Sequence, residues 1–178
     1  MNILVLNGSP RKNGNVAKAL KKETEKIQMK YKNSQIIWKD ISDLNFDFCK
    51  GCMTCRSKKN CILPADDAHK LAEEIKTCDI LLTGTPVYWG NINGQLKALF
   101  DRLVYVLMKE SKRGIPFPLH KGKKAVIVTS CTTPFPFNYL CSQSTGAVRA
   151  VKEILKSSGF KIIKTKNISN TKKTRIKK

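Results

Sequence analysis

Short apolar segments alternate with helical patterns along the whole chain, and this alternation limits the possible folds more than any other feature. Apolar runs lie at residues 3–6, 36–38, 80–83, 125–129 and 160–163, and helical spacing of apolar residues lies at 15–29, 65–77, 92–108 and 140–157. Continuous apolar strands joined by helices are typical of a parallel sheet with both faces covered. We therefore predict an α/β fold, a three-layer sandwich around a five-stranded parallel sheet in the order 2-1-3-4-5.

The length of 178 residues suits a single domain. We predict that residues 1–166 form this domain and that residues 167–178 form a basic tail. Within residues 167–178 the aliphatic side chains are Ile168 and Ile176, which are too few for a helix that covers the last strand. The flank of that strand is therefore expected to be bare or covered by a second subunit.

The net charge of +21 favours anionic ligands, and it raises the question of nucleic-acid binding. The basic residues are spread over the whole chain, and no module that combines aromatic and basic residues is present, so nucleic acid is a disfavoured partner. No apolar run reaches the 18 residues or so of a membrane span, and the start of the chain lacks the pattern of a signal peptide. We expect a cytoplasmic protein without a membrane partner.

The loop after the first strand, at residues 7–15, has the composition of an anion site. Two glycines allow it to turn tightly, Ser9 offers a hydroxyl, and Arg11 offers a forked cation. Asn15 is suited to cap the following helix, whose first free N–H groups, at Val16 and beyond, attract anions. The glycine spacing matches neither a Walker A loop nor the dinucleotide fingerprint. A terminal phosphate monoester is the ligand that fits.

A second loop follows the third strand and is rich in aromatic residues. Residues 85–91 read Thr-Pro-Val-Tyr-Trp-Gly-Asn. Pro86 stiffens this loop, Gly90 lets a ligand approach the backbone, and Tyr88 and Trp89 can pack on a flat ring. In the predicted strand order this loop lies beside the first one, so the two together predict a site for a phosphorylated aromatic cofactor.

Four cysteines occur within thirteen residues, at Cys49, Cys52, Cys55 and Cys61. In a reducing compartment this clustering favours metal or redox chemistry over disulfides. Turns of two residues allow successive thiolates to converge on an iron–sulfur cluster. Zinc and ligand-free thiols that shape the mouth of the site remain alternatives.

Taken together, these motifs resemble the NAD(P)H-dependent FMN reductase and iron–sulfur flavoprotein family over about residues 1–130. The resemblance rests on Gly8-Ser9-Pro10-Arg11, Gly14-Asn15, the four cysteines, Pro86-Val87-Tyr88-Trp89 and the segment Leu96–Arg102. It implies a flavodoxin-like fold, FMN as cofactor, NAD(P)H as electron donor, a possible 4Fe–4S cluster on the four cysteines, and a homodimer or homotetramer.

The resemblance also implies roles for individual residues. Those that match FMN phosphate positions are Ser9, Arg11, Asn15 and Val16; those that match the ring-binding loop are Pro86, Val87, Tyr88, Trp89 and Gly90; and those that match a third flavin-facing loop are Thr129, Ser130 and Cys131. No side chain is expected to be catalytic, because the flavin itself carries hydride.

The function expected is an FMN-dependent oxidoreductase that passes electrons from NAD(P)H to a quinone, flavin, nitro compound or metal ion. An alternative is a flavodoxin-like or iron–sulfur electron carrier that serves protein partners. A third possibility is a basic nucleic-acid-associated protein, which would show a steep dependence of binding on salt.

Overall fold

The computed structural model describes residues 1–111 and 113–172. Its strands, in chain order, are β1 (Asn2–Asn7), β2 (Gln35–Asp40), β3 (Ile80–Pro86), β4 (Met108–Glu110), β5 (Pro116–Pro118), β6 (Lys124–Ser130) and β7 (Lys161–Ile168). A parallel five-stranded sheet has the order β2-β1-β3-β6-β7, while β4 and β5 form a separate antiparallel pair. The prediction of a five-stranded parallel sheet is confirmed, and its strands follow the predicted order once β4 and β5 are set aside.

The helices connect these strands. They are α1 (Asn15–Lys30), α2 (Thr54–Lys58), α3 (Asp67–Thr77), α4 (Gly94–Arg102), α5 (Val104–Leu107), α6 (Phe137–Leu140) and α7 (Gln143–Ser157), with a 3-10 helix at Ile41–Asp43. The single helix predicted over 92–108 is two helices, because Leu103 ends α4 with a backbone outside the helical region. Within the described ranges, no helix is both long and apolar enough to cross a membrane.

Alternate residues of the central strands enter two separate apolar layers, as expected for a sheet covered on both sides. On one face, Val16 and Leu20 of α1 pack on a cluster formed by Ile3, Val5, Ile80, Leu82, Val126 and Val128. On the other face, α3, α4, α5 and α7 cover a larger cluster that includes Leu4, Leu6, Leu81, Ala125 and Ile127. This arrangement gives the three layers that the sequence predicts.

The flank of β7 beside α1 is covered by lysine side chains. Lys164 and Lys166 both reach the carboxylate of Glu23 on α1, at 2.6 and 3.2 Å, and this carboxylate is nearly buried. The strand continues to Ile168, past the predicted domain boundary at 166. The last part of the predicted tail, residues 173–178, lies outside the described residues.

We expect the Glu23→Gln variant to be less stable than wild type at neutral pH. We also expect its free energy of unfolding to depend less on pH below about pH 5. Burial acts to raise the pKa of the Glu23 carboxyl, but hydrogen bonds from Lys164 and Lys166 outweigh it and hold that pKa below its ordinary value. The stabilisation is therefore present above the glutamate pKa of the unfolded chain, about 4.3, and is lost as the pH falls through the lower folded value.

Urea unfolding at several pH values measures how the free energy of unfolding changes with pH. The matched control is Glu73→Gln, which removes an exposed ion pair with Lys76 on α3. Equal slopes for wild type and Glu23→Gln would contradict the assignment.

Candidate functional site

A cleft of about 430 Å³ lies at the carboxyl edge of the sheet, where the loops after β1, β3 and β6 meet. This is the position at which the strand order reverses direction, and open parallel sheets bind ligands there. The cleft is lined by Ser9, Arg11, Gly14, Asn15, Val16, Lys18, Pro86, Val87, Tyr88, Ser130, Thr132 and Thr171. Its volume falls within the range of about 300–1,000 Å³ that is common for small-molecule sites.

The first wall of the cleft is cationic and ends on α1. Gly14, and not Asn15 as predicted, is the N-cap of this helix, and no side chain caps it. The first N–H groups of α1 are therefore available to a ligand, at the positive end of the helix dipole. The cations of Arg11 and Lys18 line the same wall, and the buried Ser9 hydroxyl accepts a hydrogen bond from the Arg11 backbone at 3.1 Å.

Asn93 joins this wall to the aromatic loop. Its buried side chain donates to the Gly8 carbonyl at 2.6 Å and accepts from Leu96 N at 3.4 Å, so it also caps α4. Its backbone N–H donates to the Thr85 hydroxyl at 3.3 Å. Asn93 was not predicted as a site residue, because it falls inside the helix predicted over 92–108, although Asn is a favoured N-cap residue.

The second wall consists of Pro86, Val87 and Tyr88. The backbones of Tyr88 and Asn91 exchange two hydrogen bonds of 2.9 Å, which close a tight turn around Trp89 and Gly90. Both central residues have positive φ, 53° at Trp89 and 71° at Gly90. This turn carries the Trp89 side chain into solvent, where it is fully exposed, and neither residue lines the cleft. The aromatic wall is therefore Tyr88.

The third wall follows β6. Ser130 and Thr132 line the cleft, and Thr171 reaches it from beyond β7 because its hydroxyl and N–H both donate to the Cys131 carbonyl. Cys131 itself is buried behind this wall, and burial raises the pKa of its thiol. Thr129 is buried too, and it donates to the Asn167 amide oxygen at 3.1 Å.

Of the residues predicted for this site, the structure places eight on the cleft: Ser9, Arg11, Asn15, Val16, Pro86, Val87, Tyr88 and Ser130. Lys18, Thr132 and Thr171 also line the cleft and were not predicted to face a ligand. The polar spacing of α1 offers a signal for Lys18, one turn after its start. Thr171 is far from the other residues in sequence and carries no local signal.

The four cysteines occupy the segment before α3. Cys49 and Cys52 are exposed, while Cys55 and Cys61 are half-buried and pack against the larger core cluster. Burial raises the pKa of the Cys55 thiol, and the neighbouring thiols of the other three cysteines raise it further. Among the residues that the structure describes, however, no three His, Cys, Asp or Glu side chains are grouped as a metal site. The arrangement therefore does not fit a cluster as it stands.

Arg102 of α4 holds the chain on both sides of the four cysteines, at Asp47 and at Asp66. Its buried guanidinium donates to the Asp66 carboxylate at 2.7 Å and to the Asp47 carbonyl at 2.6 Å. Asp66 also caps α3 by accepting from the N–H groups of Ala68 and His69. Burial acts to raise the pKa of Asp66, but the hydrogen bonds from Arg102 and His69 prevail and lower it.

A doubly wound sheet with an uncapped helix end and an aromatic wall at its switch point defines the class of flavodoxin-like proteins. The cleft offers a cationic site for a phosphate joined to a wall for a flat ring. The chain belongs to the NADPH-dependent FMN reductase family, whose model matches residues 1–135. The predicted family is thereby confirmed.

Relatives in sequence include an iron–sulfur flavoprotein of Methanocaldococcus jannaschii, 34% identical over 63% of this chain and 55% of the relative. Another is an iron–sulfur flavoprotein of Clostridioides difficile, 33% identical over 57% of this chain and 45% of the relative. The chain spans about half the length of these relatives. An azoreductase structure from Bacillus anthracis has a TM-score of 0.77 at 15% identity and covers 96% of this chain and 87% of its own, a likeness of fold.

Proposed function

We propose that this protein binds FMN in the cleft, oxidises NAD(P)H and passes the electrons to a small acceptor such as a quinone, flavin, nitro compound or metal ion. The observation that carries the proposal is the cleft itself, in which an uncapped helix end and two cations face an apolar and aromatic wall. Few ligands other than a phosphorylated aromatic ring would use both.

The phosphate would lie at the start of α1. The free N–H groups of the helix and the Ser9 hydroxyl are suited to its oxygens, and the Arg11 guanidinium can bind two of them at once. The residues present fit a phosphate monoester, because no acidic side chain lines this wall among the residues that the structure describes.

The ring would lie between Tyr88 and the loop after β6. Pro86 and Val87 supply apolar contact, and the hydroxyls of Ser130, Thr132 and Thr171 offer hydrogen bonds to a polar ring edge. Bound FMN supplies the hydride and electron transfer chemistry, so these residues orient the ring and limit water. The net charge of +21 attracts the anionic nicotinamide cofactor.

Self-association, as a homodimer or homotetramer, belongs to the same proposal. The loop after β3 and the region of α6 expose large apolar side chains: Trp89 at 100%, Phe135 at 72%, Phe137 at 56% and Leu140 at 73%. Exposed apolar groups of this size are typical of interaction surfaces. A monomer in sedimentation at micromolar concentration would contradict this part. A cytoplasmic location remains a prediction from the sequence.

Three alternatives remain for what the four cysteines bind: a 4Fe–4S cluster, zinc, or no ligand, so that the thiols are free. Adoption of a metal would require the thiols to gather more closely than they do in the described part of the chain. Iron, sulfide and zinc analysis of anaerobically purified protein separates the three. About four iron atoms per chain would establish a cubane cluster.

The decisive experiment is an anaerobic titration of the FMN-loaded chain with NADH and NADPH. Rapid bleaching of the flavin absorbance, followed by its return when a quinone is added, is the expected result. Bound flavin that neither nucleotide reduces would favour the alternative of an electron carrier. Failure to bind FMN at all would overturn the proposal.

We expect Arg11→Ala to weaken FMN binding by about tenfold or more, because it removes a hydrogen-bonded cation worth about 1.5–3 kcal/mol at a charged partner. Riboflavin, which lacks the phosphate, should bind wild type and variant alike. Quenching of flavin fluorescence measures both affinities. The control Lys22→Ala removes an exposed charge of α1 outside the cleft. Equal loss for riboflavin and FMN would show that Arg11 does not bind the phosphate.

A further inference from the structure

A second groove, larger than the cleft, runs between α7 and β7. Its volume is about 610 Å³ against about 430 Å³ for the cleft. The groove is lined by Arg149, Lys152 and Lys156 of α7 and by Thr165 and Asn167 of β7. Two features of this groove, one electrostatic and one of the backbone, point to the same ligand.

The first feature is a basic stripe on α7. Arg149, Lys152 and Lys156 are spaced three and four residues apart, so they lie on one face of the helix. Within the described part of the chain, none of the three forms a salt bridge, whereas eight other lysines and two other arginines do. One carboxylate, Glu153, also lines the groove, and it accepts a hydrogen bond from Ser157 at 3.3 Å. The stripe is therefore suited to bind anionic groups.

The second feature is the outer edge of the sheet at β7, which pairs with no further strand within residues 1–111 and 113–172. The strand order ends at β7, which pairs with β6 on one side. Alternate residues of such an edge strand direct their N–H and C=O groups outward, and these groups can pair with another extended chain. Thr165 and Asn167 belong to the part of this strand that borders the groove.

We propose that the groove between α7 and β7 binds an acidic, extended segment of a partner protein. The segment adds as a further strand beside β7, and its carboxylates contact Arg149, Lys152 and Lys156. This mode combines backbone hydrogen bonds for affinity with side-chain contacts for specificity. The inference goes beyond the proposed oxidoreductase function and does not depend on it.

A second copy of this chain is a poor occupant. Pairing of β7 with itself would bring together two strands that each carry Lys161, Lys164 and Lys166, and like charges that face each other across strands are destabilising. A nucleic acid satisfies the cations but leaves the outward peptide groups of β7 unpaired. An acidic peptide strand satisfies both.

The test uses a fluorescent peptide of about eight residues, the length of β7, that alternates Asp and Val. Anisotropy is measured with the full-length protein at physiological salt. A second probe has the same sequence with alternate backbone nitrogens methylated, which keeps the charge and prevents strand pairing. A third probe is an oligothymidylate of similar length. The variants are Arg149→Ala/Lys152→Ala/Lys156→Ala and, with the same charge change, Lys22→Ala/Lys30→Ala/Lys32→Ala.

We expect the unmodified peptide to bind wild type and the control variant with Lys22, Lys30 and Lys32 replaced equally. Binding should weaken by about tenfold or more for the α7 variant and for the methylated peptide, because several charge contacts or several hydrogen bonds are lost. The comparison of the two peptides on wild type keeps the test valid even if the α7 variant misfolds. Equal binding of both peptides, tighter binding of the oligothymidylate, or no peptide binding would overturn the proposal.

Discussion

Replacement of Arg102 by methionine is expected to lower the free energy of unfolding by about 3–5 kcal/mol, the range found when one partner of a buried ion pair is removed. The Arg102 side chain is 1% exposed and that of Asp66 is 16% exposed. Methionine fills much of the same volume, so the loss is electrostatic. It leaves the Asp66 carboxylate without its cation and the Asp47 carbonyl without its donor.

The same helix supplies the control. Lys97 forms an ion pair of 2.6 Å with Asp101 on the exposed side of α4, and both side chains are about half exposed. Because exposed pairs of this spacing are worth about 0.3–0.5 kcal/mol, Lys97→Met should change stability little. Urea unfolding at neutral pH compares the two variants. Similar losses in both would show that Arg102 is not a buried anchor.

A second readout of Arg102→Met reports on the cysteine segment. Asp47 and Asp66 lie on either side of the four cysteines, and Arg102 holds both. We therefore expect the half-buried thiols of Cys55 and Cys61 to react faster with an alkylating reagent in the variant under native conditions. An unchanged rate would mean that the segment is held by other contacts.

The second large effect is expected for Gly84→Ala in β3. A Cβ at Gly84 would lie 2.6 Å from both Leu20 Cδ1 and Val16 Cγ1, inside the layer between α1 and the sheet. Both side chains are buried, so α1 has to move outward. Overpacking of this kind costs about 1–3 kcal/mol. Since Val16 also lines the cleft, the movement should weaken FMN binding as well.

The matched control is Gly94→Ala at the start of α4, where an added Cβ meets no heavy atom within 4 Å. Alanine is the better helix former by about 1 kcal/mol, so this variant should be as stable as wild type or more stable. Thermal unfolding and FMN titration measure both variants. Wild-type stability in Gly84→Ala would show that α1 can adjust at no cost.

The sequence predicted the existence of the core strands better than their ends. Residues 3–6, 80–83 and 125–129 are continuously apolar and lie inside β1, β3 and β6. The last strand was predicted to end at 163 but continues to Ile168. Its second half contains Lys164 and Lys166, which point toward Glu23 and water, so it lacks the apolar signal of a buried strand. The short helices α2, α5 and α6 are too brief to show a helical period.

The three loops predicted to form the site meet at one cleft, and this part of the prediction depended on topology. The loops after β1, β3 and β6 were expected to meet, because the carboxyl ends of neighbouring parallel strands share one edge. Trp89 was expected on the ring, but two successive residues of positive φ carry it away from the cleft. Local backbone geometry decided the position of Trp89.

The fold class, the family and the loops that form the cleft could all be predicted from the amino-acid sequence, because they follow from patterns of nearby residues. The side chains that meet across long distances in the chain could be identified only in the folded protein. Asn93 contacts Gly8 from 85 residues away, Thr171 contacts Cys131 from 40 residues away, and Arg102 contacts Asp47 from 55 residues away. Such contacts depend on how strands and helices pack, and packing leaves no local signal in a single sequence.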